Sequence, residues 1–102
     1  LVESRPASPE RTDAYNRWYN EVHIPDVLRV PGFLSARRYA PVDGEGPFVA
    51  IYEIEGDDLQ AVFARLAEAA QRGDLPLSDA MQMSPPPSVR ILELVHDSAA
   101  GT

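Results

Sequence analysis

The chain has 102 residues and a hydrophobic fraction of 44%, enough for one domain around one core and too little for a second. Nine basic against sixteen acidic residues give a formal net charge of -7, which disfavours phosphate backbones and anionic membrane surfaces, so neither nucleic acid nor a membrane is expected as a partner. All nine basic residues are Arg and Cys is absent, which excludes Schiff-base lysine chemistry, a P-loop lysine, thiol nucleophiles, disulfides and thiolate metal sites.

Leu1 to Ser4 reads as the tail of a first strand. Ser8-Pro9-Glu10-Arg11 then offers an N-cap serine, a proline at the first helical position and an acid in the first turn, which start a helix. Tyr15, Trp18, Tyr19 and Val22 follow at i, i+3, i+4 and i+7, so one face of that helix packs inward. Pro25 is expected to end it near His23 or Ile24, with a short continuation over 26–29 before the Pro31-Gly32 break.

Residues 33–42 and 48–55 read as two strands joined by the Asp43-Gly44-Glu45-Gly46 turn. Asp57 or Asp58 caps a second helix, whose stripe is Leu59, Val62, Phe63, Leu66 and Ala70 and whose end is Gly73. Residues 75–83 read as loop or one weak helical turn, with Met81 and Met83 over the core or a pocket mouth, and Pro85-Pro86-Pro87 breaks what precedes it. A final strand over 89–96 and a loosely ordered tail over 97–102 complete the chain.

Strand, helix, strand, strand, helix, strand is the ferredoxin-like βαββαβ order: an α+β fold with a four-stranded antiparallel sheet and two helices on one face, in a single domain over 1–102. Phe48, Ala50, Tyr52 and Ile54 point one way and Val49 and Ile51 the other, while in the last strand Leu92 and Leu94 oppose Val89, Ile91 and Val95. A sheet apolar on both sides needs a cover for the second, and a homodimer through the open face would supply it.

The segment Tyr15-Asn16-Arg17-Trp18-Tyr19-Asn20-Glu21-Val22-His23-Ile24-Pro25-Asp26-Val27-Leu28, then Val30-Pro31-Gly32-Phe33 and Ala36-Arg37-Arg38-Tyr39, is the most informative stretch. Over residues 13–40 it resembles the EthD-like branch of the dimeric α+β barrel superfamily. The resemblance implies a homodimer whose sheets face each other as a barrel, with a small-molecule cavity in each subunit. It implies no single reaction, because the superfamily holds cofactor-free monooxygenases, polyketide cyclases, isomerases, decarboxylases and haem enzymes.

Tyr15, Tyr19 and His23 form one i, i+4, i+8 column, with Trp18 beside it. Core filler with a helix-capping imidazole is one reading of that column, and a pocket wall with His23 as general base or acid is the other. In the second, His23 and Tyr19 are the catalytic pair, Tyr19 polarising a substrate oxygen. Trp18, Tyr15, Asp26, Arg38 and Glu53 are the substrate-binding candidates, with Asp26 placed to orient the imidazole. Arg37 and Arg38 point to opposite faces, so one of them meets the interior, where an ion pair with Glu53 or Glu93 would neutralise it.

With two imidazoles, no HExxH spacing and no GxGxxG, no metal, nucleotide or flavin cofactor is expected. No leader and no apolar stretch of roughly 18 to 20 residues stands out, so a cytoplasmic protein is expected. The leading function is a cofactor-independent enzyme on an apolar oxygenated substrate, aromatic or polyketide-like. It would act by proton transfer in a cyclisation, isomerisation, dehydration or decarboxylation, or by cofactor-free oxygenation. The alternative is a non-catalytic small-molecule-binding or accessory protein, and a haem-binding version with His23 as axial ligand comes third.

Overall fold

The computed structural model describes residues 1–101. Thr102, the last residue of the expected loose tail, lies outside the described residues. In chain order the elements are β1 (Val2–Ser4), a 3-10 turn (Pro9–Arg11), α1 (Thr12–Trp18), a π turn (Tyr19–His23), α2 (Ile24–Leu28), β2 (Phe33–Tyr39), β3 (Phe48–Ile54), α3 (Leu59–Gln71) and β4 (Ser88–Val89). The strands form one antiparallel sheet in the order β2-β3-β1-β4, which is the ferredoxin-like arrangement.

Ser8 precedes the first helix but its side chain makes no cap bond; its carbonyl accepts from Arg11 N–H at 3.0 Å instead, closing the 3-10 turn. Pro25 does not end the helix as expected. A proline has no N–H to donate, and in α geometry its ring strikes the carbonyl four residues back. The backbone widens just before it, so that the Ile24 N–H reaches the Tyr19 carbonyl five residues back, and the helix runs on through Pro25 to Leu28. α3 begins on Asp58, whose carboxylate accepts from the Ala61 N–H at 3.2 Å. It ends at Gly73, where φ is +83°.

Register fixes the faces. Arg38 pairs with Ala50, Ala36 with Tyr52 and Ser4 with Phe48, so these side chains share the face covered by the helices. Tyr15, Tyr19, Ala50, Ala80 and Met81 make one buried cluster under the first helix. Val27, Val30, Phe33, Val62 and Ala69 make the second, under α3. Met81 thus lies in the core, whereas Met83 is exposed. The opposite face carries Arg37, Tyr39, Val49, Ile51 and Glu53, with Glu3 opposite Val49.

β2 stops at Tyr39, short of the expected Val42, which is fully exposed. The last strand is shorter still. Expected over 89–96, it is formed only at Ser88–Val89, which pair with Glu3 and Val2. Leu1 and Arg90 exchange both backbone bonds at 2.8 Å. A strand exists only where another backbone meets its N–H and C=O groups, so 91–96 is not a strand, and Ile91, Leu92, Leu94 and Val95 stay exposed. The open face is correspondingly smaller and more mixed in polarity than alternation over 89–96 suggested. Among the described residues no helix is long and apolar enough to cross a membrane.

Candidate functional site

The first helix lays an aromatic wall over β2 and β3. Tyr15 and Tyr19 are 0% and 2% exposed, with ring centroids 5.8 Å apart in an edge-on contact. The Tyr15 hydroxyl shares a 2.5 Å hydrogen bond with Ser4 Oγ, which anchors it to β1. Trp18 is tied at its outer end, where Nε1 donates to the Pro76 carbonyl at 3.2 Å.

His23 sits against both Trp18 and Tyr19. Its ring stacks on Trp18 at 4.8 Å and 27°, and meets Tyr19 edge-on at 5.0 Å. Its Nδ1 is buried without a hydrogen-bond partner. Desolvation lowers the His23 pKa below the ordinary 6.5, and the Asp26 carboxylate opposes that only in part, so the imidazole is neutral at pH 7. A neutral imidazole keeps one unprotonated ring nitrogen, which is a proton acceptor.

Arg38 reaches in from β2. Its guanidinium lies 4.3 Å from the Tyr19 ring centroid, 5.2 Å from that of Tyr15 and 5.4 Å from that of Phe48. Nη1 donates to Asn20 Oδ1 at 2.8 Å, while Nη2 is buried with no partner. The Tyr52 hydroxyl, also buried, lies close to that of Tyr19: Tyr19 disfavours ionisation of Tyr52, while Tyr52 partly offsets the effect of burial on Tyr19. Burial pushes the pKa of both phenols up, so both stay neutral hydrogen-bond donors.

Of the residues singled out from sequence, Tyr15, Trp18, Tyr19, His23 and Arg38 come together. Asp26 does not orient the imidazole: it pairs with Arg29 and leaves His23 Nδ1 free. Glu53 is exposed on the other face of the sheet, opposite Ser35, and does not meet Arg38. The expected pairing of a buried Arg with Glu53 or Glu93 is therefore absent among the described residues, because strand alternation turns Glu53 away and Glu93 is exposed in the unpaired final segment. Asn20 and Tyr52 were not singled out as site residues. Tyr52 was legible from parity, being two residues from Ala50 on the face that takes Arg38.

A groove of about 660 Å³ opens between the end of α2 and α3, lined by Asp26, Arg29, Arg65, Glu68 and Arg72 among others, and a second of about 210 Å³ lies by Pro85, Pro86 and Pro87. Neither includes His23, Tyr19 or Arg38. Among the described residues no group of three or more His, Asp or Glu is placed to hold a metal ion. Comparison with protein families, curated proteins and solved structures finds no match.

Proposed function

We propose that the protein is a cofactor-independent enzyme that moves a proton on an apolar oxygenated small molecule at the seam between the first helix and β2–β3. The observation that carries this reading is the neutral His23 with its buried, unpartnered Nδ1, set in an aromatic wall beside two neutral phenols and a guanidinium. In the proposed step Nδ1 takes a proton from a carbon or hydroxyl of the substrate. The electron pair left behind moves onto the substrate oxygen, where Arg38 or Tyr52 donates to it, and the imidazolium returns the proton at a second position. The resemblance of residues 13–40 to the EthD-like branch supports a site on this helix.

The same reading includes a homodimer through the open sheet face. Leu34 and Ile51, 56% and 41% exposed, lie on strands β2 and β3, and the apolar run that follows β4 is exposed as well. Sedimentation at micromolar concentration would then give twice 11.2 kDa. Ile51→Asp would shift it toward the single mass, and a well-folded wild-type monomer contradicts the pairing.

The close burial of Tyr15 and Tyr19, which leaves their rings well packed, favours a second reading in which the seam binds a ligand without turning it over. Thermal-shift screening of apolar oxygenated compounds, followed by product analysis of those that stabilise, separates the two. For a compound that is turned over, His23→Ala lowers kcat by about 10²- to 10⁴-fold. Stabilisation without product favours binding alone, and turnover unchanged in His23→Ala overturns the assigned base.

A further inference from the structure

Arg38 carries a charge that the chain does not answer. The ion pairs among the described residues are Arg11 with Asp79, Arg29 with Asp26 and Arg72 with Asp74, and none of them includes Arg38. The guanidinium has three aromatic rings around it and one amide oxygen on Nη1. Ring faces and an amide attract a cation, but neither cancels its charge. The nearby phenols are held in their neutral form, so they do not supply the missing anion. Nη2 is out of contact with water and has no acceptor. A buried donor left unmade costs about 1 to 3 kcal/mol, and more on a charged group. In a chain with sixteen carboxylates, strand alternation turns the acidic candidate of β3, Glu53, to the far face.

We infer that the counter-charge comes from the ligand: the seam takes a singly charged organic acid, whose carboxylate meets Arg38 Nη2 and whose hydrocarbon body lies against the Trp18–His23 stack. This rests on the reading of the seam as a small-molecule site and names the class of molecule it selects. A carboxylate oxygen accepts from Nη2, and the buried Tyr52 hydroxyl is a further donor in the same cluster. The opposite side of the molecule meets only aromatic surface, which favours an aryl or alkyl body over a second charge. Asn20 is a positioning residue, holding Nη1 so that Nη2 faces inward.

The test uses benzoate, phenylacetate and salicylate against their uncharged amides, with binding read by NMR shift changes of Trp18 Nε1–H and the His23 ring in the full chain. The acids are expected to bind at least tenfold more tightly than the amides and to lose at least tenfold on Arg38→Gln. Arg37→Gln, on the other sheet face, is expected to bind as the wild type does. Arg38→Lys retains charge without the planar fork and is expected to fall between. Equal affinity for acids and amides, unchanged binding by Arg38→Gln, or no binding of any of the three acids overturns the inference. If Arg38→Gln does not fold, the wild-type preference for acid over amide decides alone. Because binding is read without turnover, acids held by Arg38 in a protein with no proton-transfer activity would leave this inference standing and end the catalytic one. His23-dependent turnover of neutral compounds in Arg38→Gln would do the reverse.

Discussion

Trp18 and His23 stack face to face, 4.8 Å between centroids, although they are five residues apart in one helix. On a regular α-helix, positions i and i+5 point about 140° away from each other. The π turn over Tyr19–His23 closes that gap, and Pro25 is its cause, since the widened ladder spares the proline a collision with the preceding turn. One proline thus sets the place of the imidazole in the wall.

Pro25→Ala restores an N–H and lets the helix tighten to α winding, turning His23 away from Trp18. Trp18 is the single tryptophan, so its fluorescence reports the contact. In the wild type, emission is expected to fall as His23 gains a proton below pH 6.5 and quenches the stacked indole. In Pro25→Ala that dependence should shrink by at least half. An unchanged profile would mean that the stack does not depend on the π turn.

The lowered pKa of His23 makes stability depend on pH. The imidazole titrates at 6.5 when unfolded and lower when folded, so the unfolded chain binds more protons between the two values. Stability is therefore fully present above 6.5 and is lost as pH falls through 6.5 toward the folded value. His23→Gln removes that slope. Denaturant midpoints of the two proteins should diverge at pH 7.5 and converge by pH 5; parallel curves would rule out a desolvated His23.

Gly32 has φ of +105°, and a Cβ built on it would stand 3.0 Å from both methyl groups of Val62 and 3.3 Å from the Glu55 carbonyl. Gly32→Ala should cost about 2 to 4 kcal/mol, from backbone strain and overpacking together. Val62→Ala alone opens a cavity at a residue 1% exposed. In the double variant the truncated valine makes room for the new methyl, so urea melts should give a total smaller than the two single losses. Strict additivity would show that the clash is relieved by some other movement.

Ser4 and Tyr15 satisfy each other in the core at 2.5 Å. Tyr15→Phe and Ser4→Ala each leave one buried hydroxyl alone, and each should cost about 1 to 3 kcal/mol. Removing both strands neither partner. A coupling near zero in the double-mutant cycle would show that the bond is not formed in solution.

Much of this was readable before any coordinates. The period of Tyr15, Trp18 and Tyr19 named the buried face of the first helix, and alternation in β2 showed that one of Arg37 and Arg38 had to turn inward. The sequence puts Trp18 beside the column that holds His23, but the direct stack of the two rings was hidden because α-helical spacing sets i and i+5 about 140° apart and a proline inside a helical pattern reads first as a stop. Asn20 was hidden because a polar helix residue gains meaning only from the arginine across from it. The last strand differs for another reason: the apolar run 91–95 has strand composition, but composition alone makes no strand without a paired backbone beside it, and only Ser88–Val89 have one on β1.

The most direct check of the account is an NMR titration of the His23 ring nitrogens and carbons. The account predicts a midpoint below 6.5 and a ring that is uncharged at pH 7, with Nδ1 protected from solvent and free of any hydrogen bond. A midpoint at or above 6.5, or an Nδ1 signal showing a persistent hydrogen bond to Asp26, would contradict it.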